Sequence, residues 1–386
     1  MTIIHVSAYF APAYGFGGPP RSLVALCQAQ AAAGLDVEVF TTTANPGGEL
    51  APAPDGVTVE GVRVRRFPLA APRWMFGAPS MAPPLARAAR SADVVHLHGL
   101  FNRAIWIARR AVAGSGRPYV VSPRGMLEPS ALAHHRWRKR AAWWLRDRRV
   151  LRGAAAWHAT SEAEAATLGA LPDPRPVLMI PNSLSHVPAT GADRADARRA
   201  AGLGPGAPFL LFLGRLHPIK RLDLLAAAFA RVAARHPDAT LVIAGPDEGG
   251  YRARVEPAFA PVAARVRWTG AVDGPRKAGL LAEARALVLC SDSESFGMSV
   301  AEALAAATPA IVTRTCPWRV LEASGAGYWV PQSADALAGA MDAVLADPAA
   351  AGAMGARGRA LAVLEYGPEA VGRRWAEAYR GLAGRA

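Results

Sequence analysis

Short, almost unbroken apolar runs recur along the chain, and each is followed by a longer stretch with apolar and polar positions at helical spacing. In the first half the runs at 3–7, 37–40, 94–98, 119–122 and 177–180 read as strands. In the second half those at 209–213, 240–244, 265–269, 286–290 and 310–313 do so. Strands alternating with helical patterns, without a regular polar face, predict α/β architecture with parallel sheets. Residues 187–208 mix Pro, Gly and charge and read as a linker with a short helix at 193–201. A length of 386 residues fits two domains. The expected division is 1–186, 187–367 and a last segment, 368–386, whose stretch 368–382 reads as a helix.

Composition changes this picture little. The net charge is +14 and comes almost wholly from arginine, because only Lys139, Lys220 and Lys277 are lysines. Such an excess suits polyanions, phosphorylated ligands or an anionic membrane surface. Cys27, Cys290 and Cys316 are scattered without metal-ligand spacing and read as reduced, which predicts a cytoplasmic protein. The first residues lack a basic region and run straight into a strand, so no signal peptide is expected. No apolar run is long and clean enough to span a bilayer.

Candidate chemistry gathers at strand ends. Residues 291–312 read SDSESFGMSVAEALAAATPAIV: a polar loop, a Phe296-Gly297-Met298 turn, an Ala-rich helix, then the next strand. A helix N-terminus after a parallel strand favours an anion. Two carboxylates, Glu294 and Glu302, stand there with seven residues between them. Amides for an anion and carboxylates for hydroxyls suit a ligand such as a nucleotide sugar. A structural alternative is that Ser299-Val300-Ala301-Glu302 forms a capping box and Glu294 is a solvated loop residue.

Other strand ends carry further candidates. After the first strand, Tyr14-Gly15-Phe16-Gly17-Gly18-Pro19-Pro20 fails as a dinucleotide fingerprint, because Pro20 takes the third glycine position. Gly17 and Gly18 still suit close backbone approach to a phosphate, with a flexible turn as the alternative. The run ending His96-Leu97-His98-Gly99 puts both histidines on one strand face, His98 at the carboxyl edge where ligands of open sheets bind, with a satisfied core or surface histidine as the alternative. Two histidines without a third nearby ligand do not argue for zinc. Ser122-Pro123-Arg124-Gly125 is another such loop, and Arg124 is an acceptor-side candidate. FLLFLGRLHPIK, 209–220, ends a buried strand at Gly214 and then presents Arg215 and Lys220, which suit a phosphate, with two ordinary surface cations as the alternative. Residues 134–152, HHRWRKRAAWWLRDRRVLR, place Trp137, Ala141, Trp144, Leu145 and Leu151 near one helical face and arginines on the other. That pattern suits a surface helix covering core, or contact with an anionic membrane surface.

Taken together, Glu294 to Glu302 with Phe296-Gly297 between, GRLHPIK at 214–220, Gly17-Gly18 and HLHG at 96–99 resemble the retaining glycosyltransferases of family 4, the group 1 glycosyltransferases, over nearly the whole chain. SPRGMLEP at 122–129 is similar to a subgroup that builds cell-surface polysaccharides. The resemblance implies a GT-B fold, two Rossmann-like domains with parallel sheets facing across a cleft. It implies a hexosyltransferase using a nucleotide-diphosphate sugar and a glycan or lipid-linked acceptor, without a metal or other cofactor. It places Arg215 and Lys220 on the donor diphosphate, Glu302 on the ribose and Glu294 on the sugar hydroxyls. The amides of Phe296, Gly297, Met298 and Ser299 lie nearby, with Val272 by the base and Gly18 approaching the phosphate. His98 lies near donor sugar and acceptor, and 368–386 crosses back to the N-terminal domain. Replacing Lys220 or Glu294 by Ala is then expected to abolish transfer at nearly unchanged melting temperature. Two departures stand out: Asn182-Ser183 replaces an Asn-Gly turn, and Thr315-Cys316-Pro317-Trp318 replaces a glycine-rich turn, which touches acceptor-side details. A nucleotide-sugar epimerase or hydrolase is the competing reading. A nucleic-acid-binding protein is disfavoured, because only 134–152 combines cations with aromatics. Location on the inner face of the membrane follows from the resemblance and that segment together.

Overall fold

The computed structural model describes residues 1–128, 131–132, 136–184, 188–204 and 206–384. It divides into two units: Met1–Leu184 with Gly367–Ala386, and Ser185–Tyr366.

The first unit holds strands β1 (Thr2–Ser7) and β2 (Asp36–Thr42), a ribbon of β3 (Ala44–Asn45) and β4 (Gly48–Glu49), then β5 (Ala53–Val59) and β6 (Val62–Phe67). β7 (Val94–His98), β8 (Tyr119–Ser122), β9 (Ala156–Ala159) and β10 (Val177–Met179) come next. The sheet order is β10-β9-β8-β7-β1-β2-β6-β5, and only the β5–β6 pair is antiparallel. Alternate residues of β1 serve opposite faces: Ile4 and Val6 join one buried cluster and Ile3 the other. The hairpin β5–β6 and strand β9 are not among the runs read from sequence. Arginines interrupt β6, and β9 is only Ala-Trp-His-Ala.

The second unit contains β11 (Phe209–Leu213), β12 (Thr240–Ala244), β13 (Val266–Gly270), β14 (Ala286–Leu289), β15 (Ala310–Thr313) and β16 (Gly327–Val330). Its order is β13-β12-β11-β14-β15-β16, parallel throughout. Strand order reverses direction between β11 and β14, which makes their carboxyl ends the crevice for a ligand. In the first unit the corresponding place lies between β1 and β7. The short helix before β11 runs Gly191–Ala200, starting slightly earlier than the charge pattern suggests, because Thr190 and Asp193 form a capping box.

Helix α1 (Gly18–Ala32) follows β1 and packs against the C-terminal helix Pro368–Ala383 of the same unit. The approach is close: a Cβ on Gly372 would sit 2.2 Å from the Ala29 carbonyl oxygen. Val371, Trp375 and Tyr379 are buried there with Ile3, Leu23 and Cys27.

The basic segment departs from the single helix read from sequence. Its described part is a helix at Arg136–Ala142, a π-helical turn at Trp143–Asp147 and a helix at Arg148–Arg152; His134 lies outside the described residues. The wider π turn rotates the residues after it relative to those before. Leu151 and Val150 are buried, whereas Trp137, Trp144 and Leu145 are 75%, 64% and 62% exposed. The face expected to cover core is therefore split, and most of it faces solvent.

Candidate functional site

In the second unit, the loops after β11 and β14 lie side by side at the reversal point. Gly214 leaves β11, and its amide donates to the Ala244 carbonyl, 3.0 Å. Gly245, at φ +150°, must be glycine, since a Cβ would lie 1.8 Å from the Gly214 oxygen. The ends of β11 and β12 thus touch backbone to backbone. Pro218–Lys220 makes a single 3₁₀ turn capped by His217, whose ring accepts from the Ile219 amide, 3.2 Å. That turn sends Lys220 back over Gly214, its Cε within 3.9 Å of where a Gly214 Cβ would stand.

Lys220 Nζ forms an ion pair with Glu294 Oε1, and both side chains are largely buried. Ser291 Oγ donates to the same carboxylate oxygen, 2.7 Å. The Asp292 amide bonds to the Ile219 carbonyl, 2.8 Å, tying the two loops through their backbones. The polar loop therefore carries a positioned carboxylate, not a solvated one.

The helix after this loop runs Met298–Ala305, with Gly297 at its N-cap at φ +88° and no side-chain cap. Ser299 lies inside the first turn, so the capping-box alternative fails. Glu302 pairs instead with Lys277 Nζ, 2.9 Å, in the neighbouring helix Gly274–Glu283. The first-turn amides of Met298 and Ser299 receive no side-chain cap, which leaves the positive end of this helix open to an anion. Val272 sits half-buried in the turn between β13 and the Lys277 helix. Arg215 is well exposed and paired with Glu248. It stands at the same strand end as Lys220 but reaches the β12 side.

The departure at Thr315–Trp318 supports the carboxylate loop. Thr315 Oγ1 donates to the Ser291 carbonyl and Trp318 Nε1 to the Phe296 carbonyl, both at 2.5 Å. Phe296, Trp318 and Tyr366 form an aromatic triangle with centroids 5.4, 5.6 and 5.4 Å apart. A Cβ on Gly297 would come 3.0 Å from Trp318 Nε1. Within this unit, the segment read as touching acceptor-side details braces Phe296 and Gly297.

In the first unit, Ser7, His98 and Ser122 end adjacent strands in register. Gly17, at φ +90°, is the N-cap of α1. A Cβ on Gly18 would meet no protein atom within 4 Å, so only a close ligand would require glycine there. His98 is buried, and a hydrogen-bond chain of determinate direction starts at it. Arg124 can only donate, and its Nε lies 3.2 Å from His98 Nδ1. His98 Nε2 then donates to His5 Nδ1 at 2.8 Å, and His5 Nε2 to Gln30 Oε1 at 2.7 Å. Gln30 Nε2 donates to the Tyr379 hydroxyl at 3.1 Å, and that hydroxyl to His96 Nδ1 at 2.7 Å. His96 Nε2 donates to Ser122 Oγ at 2.6 Å, and Ser122 to His158 Nδ1 at 2.5 Å. His158 Nε2 ends the chain on the Ile180 carbonyl, 2.8 Å, a group that can only accept. Fixed roles at both ends set every tautomer between them.

Burial holds all four rings neutral. It pulls His5 down to about 4, His158 to about 3, and His96 and His98 well below the usual histidine range. His5 is the third histidine that the sequence pattern did not bring to this place; its ring stands with those of His96 and His98 close enough to hold a metal ion. All six of their ring nitrogens already have hydrogen-bond partners in the chain just traced. With both nitrogens occupied, His98 is a positioned neutral ring and has no free nitrogen for proton transfer. Arg124, at φ +55°, also donates to Ser22 Oγ, 3.0 Å, and Asn182 Oδ1, 3.4 Å, and pairs with no carboxylate among the described residues.

Lys277 was missed from sequence, although its rarity was a usable signal: only three lysines exist, and two of them hold Glu294 and Glu302. Tyr379, Gln30 and His5 were missed because they meet His96 and His98 only through the fold.

The comparisons with known proteins agree with this geometry. Residues 17–183 match the glycosyl transferase 4-like domain, and residues 193–361 match the glycosyl transferases group 1 family. A D-inositol 3-phosphate glycosyltransferase of Actinosynnema mirum is 30% identical over 338 residues, covering 80% of this chain and 78% of the relative. The enzyme of that name from Jonesia denitrificans is 31% identical over 348 residues, covering 81% and 78%. Among solved structures, sucrose-phosphate synthase from Thermosynechococcus elongatus superimposes with a TM-score of 0.78 at 23% identity, over 100% of both chains. Anabaena HepE in complex with UDP-glucose gives 0.75 at 17% identity, over 99% of this chain and 100% of that one. With both halves matched in order and relatives of this identity over most of its length, the chain belongs to the group 1 glycosyltransferases and has their GT-B fold.

Proposed function

We propose that the protein is a retaining, metal-independent hexosyltransferase that moves a sugar from a nucleoside diphosphate to a glycan or lipid-linked acceptor in surface polysaccharide synthesis. The observation that carries this reading is the Lys220–Glu294 pair beside an uncapped helix N-terminus. A cation and free amides suit the diphosphate, and a fixed carboxylate suits sugar hydroxyls. The UDP-glucose bound by HepE supports a nucleotide-sugar donor.

The hard step is departure of the nucleoside diphosphate. Lys220 shifts toward the phosphate, Arg215 leaves Glu248, and the Phe296–Ser299 amides complete the cradle. Each strong donor of this kind is worth roughly 3–4 kcal/mol to a developing charge. Glu302, held by Lys277, takes the ribose hydroxyls, and Val272 lies against the base. Glu294 binds sugar hydroxyls and does not attack. The acceptor enters on the leaving-group face, and the departing phosphate takes its proton. That route asks nothing of the His98 nitrogens. Arg124, without a carboxylate partner among the described residues, suits an acceptor that carries phosphate, as inositol 3-phosphate does in the relatives' name. The exposed tryptophans of 136–152 rest on an anionic membrane surface.

A thermal-shift panel of UDP-, GDP- and ADP-sugars identifies the donor, and turnover with acceptor is then followed in EDTA, with the product anomer read by NMR. Retained configuration at an undiminished rate is expected. Donor consumption without any acceptor would instead mark a hydrolase or epimerase.

A further inference from the structure

Away from the strand ends, the first unit carries a trough along the outer side of α3 (Arg103–Val112), walled by α2 (Ala82–Ser91). It consists of two hollows of about 270 and 490 Å³ that share Ile107 and Arg110. Met75, Trp106 and Ile107 line one hollow; Pro83, Ala86 and Ala111 line the other. The Trp106 indole N–H is spent on Asp147 Oδ1, 3.1 Å, and Asp147 is itself buried and accepts the Phe101 amide at 2.8 Å. The ring is therefore held in place and offers the trough an apolar surface.

The rim is cationic. Arg103, Arg110 and Arg146 border the first hollow, and Arg90 with Arg110 the second. None of the four has a carboxylate within ion-pair distance among the described residues, although many other surface arginines are paired. Arg146 belongs to the π turn that also exposes Trp144 and Leu145, and Arg148 lies over the Trp144 ring at 5.1 Å. An apolar floor, guanidiniums without a carboxylate and neighbouring interfacial side chains match one amphiphile: an anionic group joined to a hydrocarbon chain. A nucleic acid would need several aromatic platforms on which bases stack, and Trp106 is the one aromatic among the residues that line the two hollows.

We propose that this trough takes a hydrocarbon chain of an anionic membrane lipid, whose phosphate is held by Arg103, Arg110 and Arg146. The site lies on α2 and α3, beyond the basic segment itself, and uses none of the donor-site residues, so it stands or falls apart from the identity of the donor.

The test uses the full chain with vesicles of phosphatidylcholine, with or without phosphatidylglycerol whose acyl chains are brominated. Brominated chains should quench tryptophan fluorescence, and Trp106→Phe should remove part of that quenching. Filling the slot with Ala86→Phe and Ala111→Phe should weaken vesicle binding about tenfold while the basic segment stays intact. Decyl phosphate should compete and inorganic phosphate should not. Binding and quenching unchanged in the filled variant would overturn the proposal, as would equal binding to phosphatidylcholine alone or displacement of vesicles by a DNA oligonucleotide. If the filled variant does not fold, Arg110→Gln, at an exposed position, decides: vesicle affinity equal to wild type refutes the site.

Discussion

Lys220 pairs with Glu294 in the free protein, and under the proposed function it exchanges that partner for a donor phosphate. This revises the expected effect of losing either residue. Both side chains are mostly buried, so removing one leaves the other charge poorly solvated. Lys220→Met and Glu294→Gln should each cost about 1–3 kcal/mol of stability as well as activity. The double variant should cost less than the sum, which a denaturation double-mutant cycle measures. Additive losses would mean the pair is not coupled. The buried histidines set a second prediction. Their folded-state pKa values lie below the unfolded value of about 6.5. Their contribution to stability is therefore complete above about 6.5, falls as protons bind the unfolded chain, and has gone once pH drops through the folded values near 4 and below. Asp147, raised to about 6, works the other way, losing stability as pH rises through that value. Four rings outweigh one carboxyl, so the unfolding free energy should fall on going from pH 7.5 to pH 5.5, by up to about 1.4 kcal/mol per pH unit for each ring, and the denaturant midpoint with it. A midpoint that rises on acidification would contradict the neutral network.

At the scale of elements, legibility in the sequence depended on whether a signal was local. Strands such as 94–98 and 209–213 were legible because they are unbroken and apolar, and GRLHPIK because it directly follows one. Gly297 marked the start of the Met298 helix, and it also explains why the capping-box reading fails: with glycine at the N-cap, Ser299 falls inside the helix. The π turn at Trp143–Asp147 was not legible, since a fixed period of about 3.6 residues assumes uniform rotation throughout. Nor was the brace from Thr315–Trp318, which reaches Phe296 across 22 residues. That brace gives a prediction at its own scale. Trp318→Phe keeps an aromatic ring but loses the hydrogen bond to the Phe296 carbonyl, so donor KM should rise several-fold with little change in kcat for bound donor; Trp318→Ala should lose both. A Phe variant with unaltered KM would show that the loop needs no such support.

For the whole molecule, pattern was enough for two parallel α/β halves, and the family follows from motifs that stand in order along nearly all of the chain. The polar network of the first unit was out of reach, because it joins residues as far apart as Gln30 and Tyr379. Among the described residues no helix is long and apolar enough to cross a membrane; the proposed membrane contact is argued separately, from the exposed tryptophans and the arginine-rimmed trough. The claim on which the rest depends is that Lys220, beside the open helix end, holds the donor diphosphate. It is tested most directly by titrating wild type and Lys220→Met with whichever of UDP-, GDP- or ADP-glucose gives the largest thermal shift. The wild type should bind and gain about 2.7 kcal/mol of stability at about a hundredfold excess over Kd, and Lys220→Met should bind at least about tenfold more weakly. Equal affinity in a correctly folded variant would contradict it.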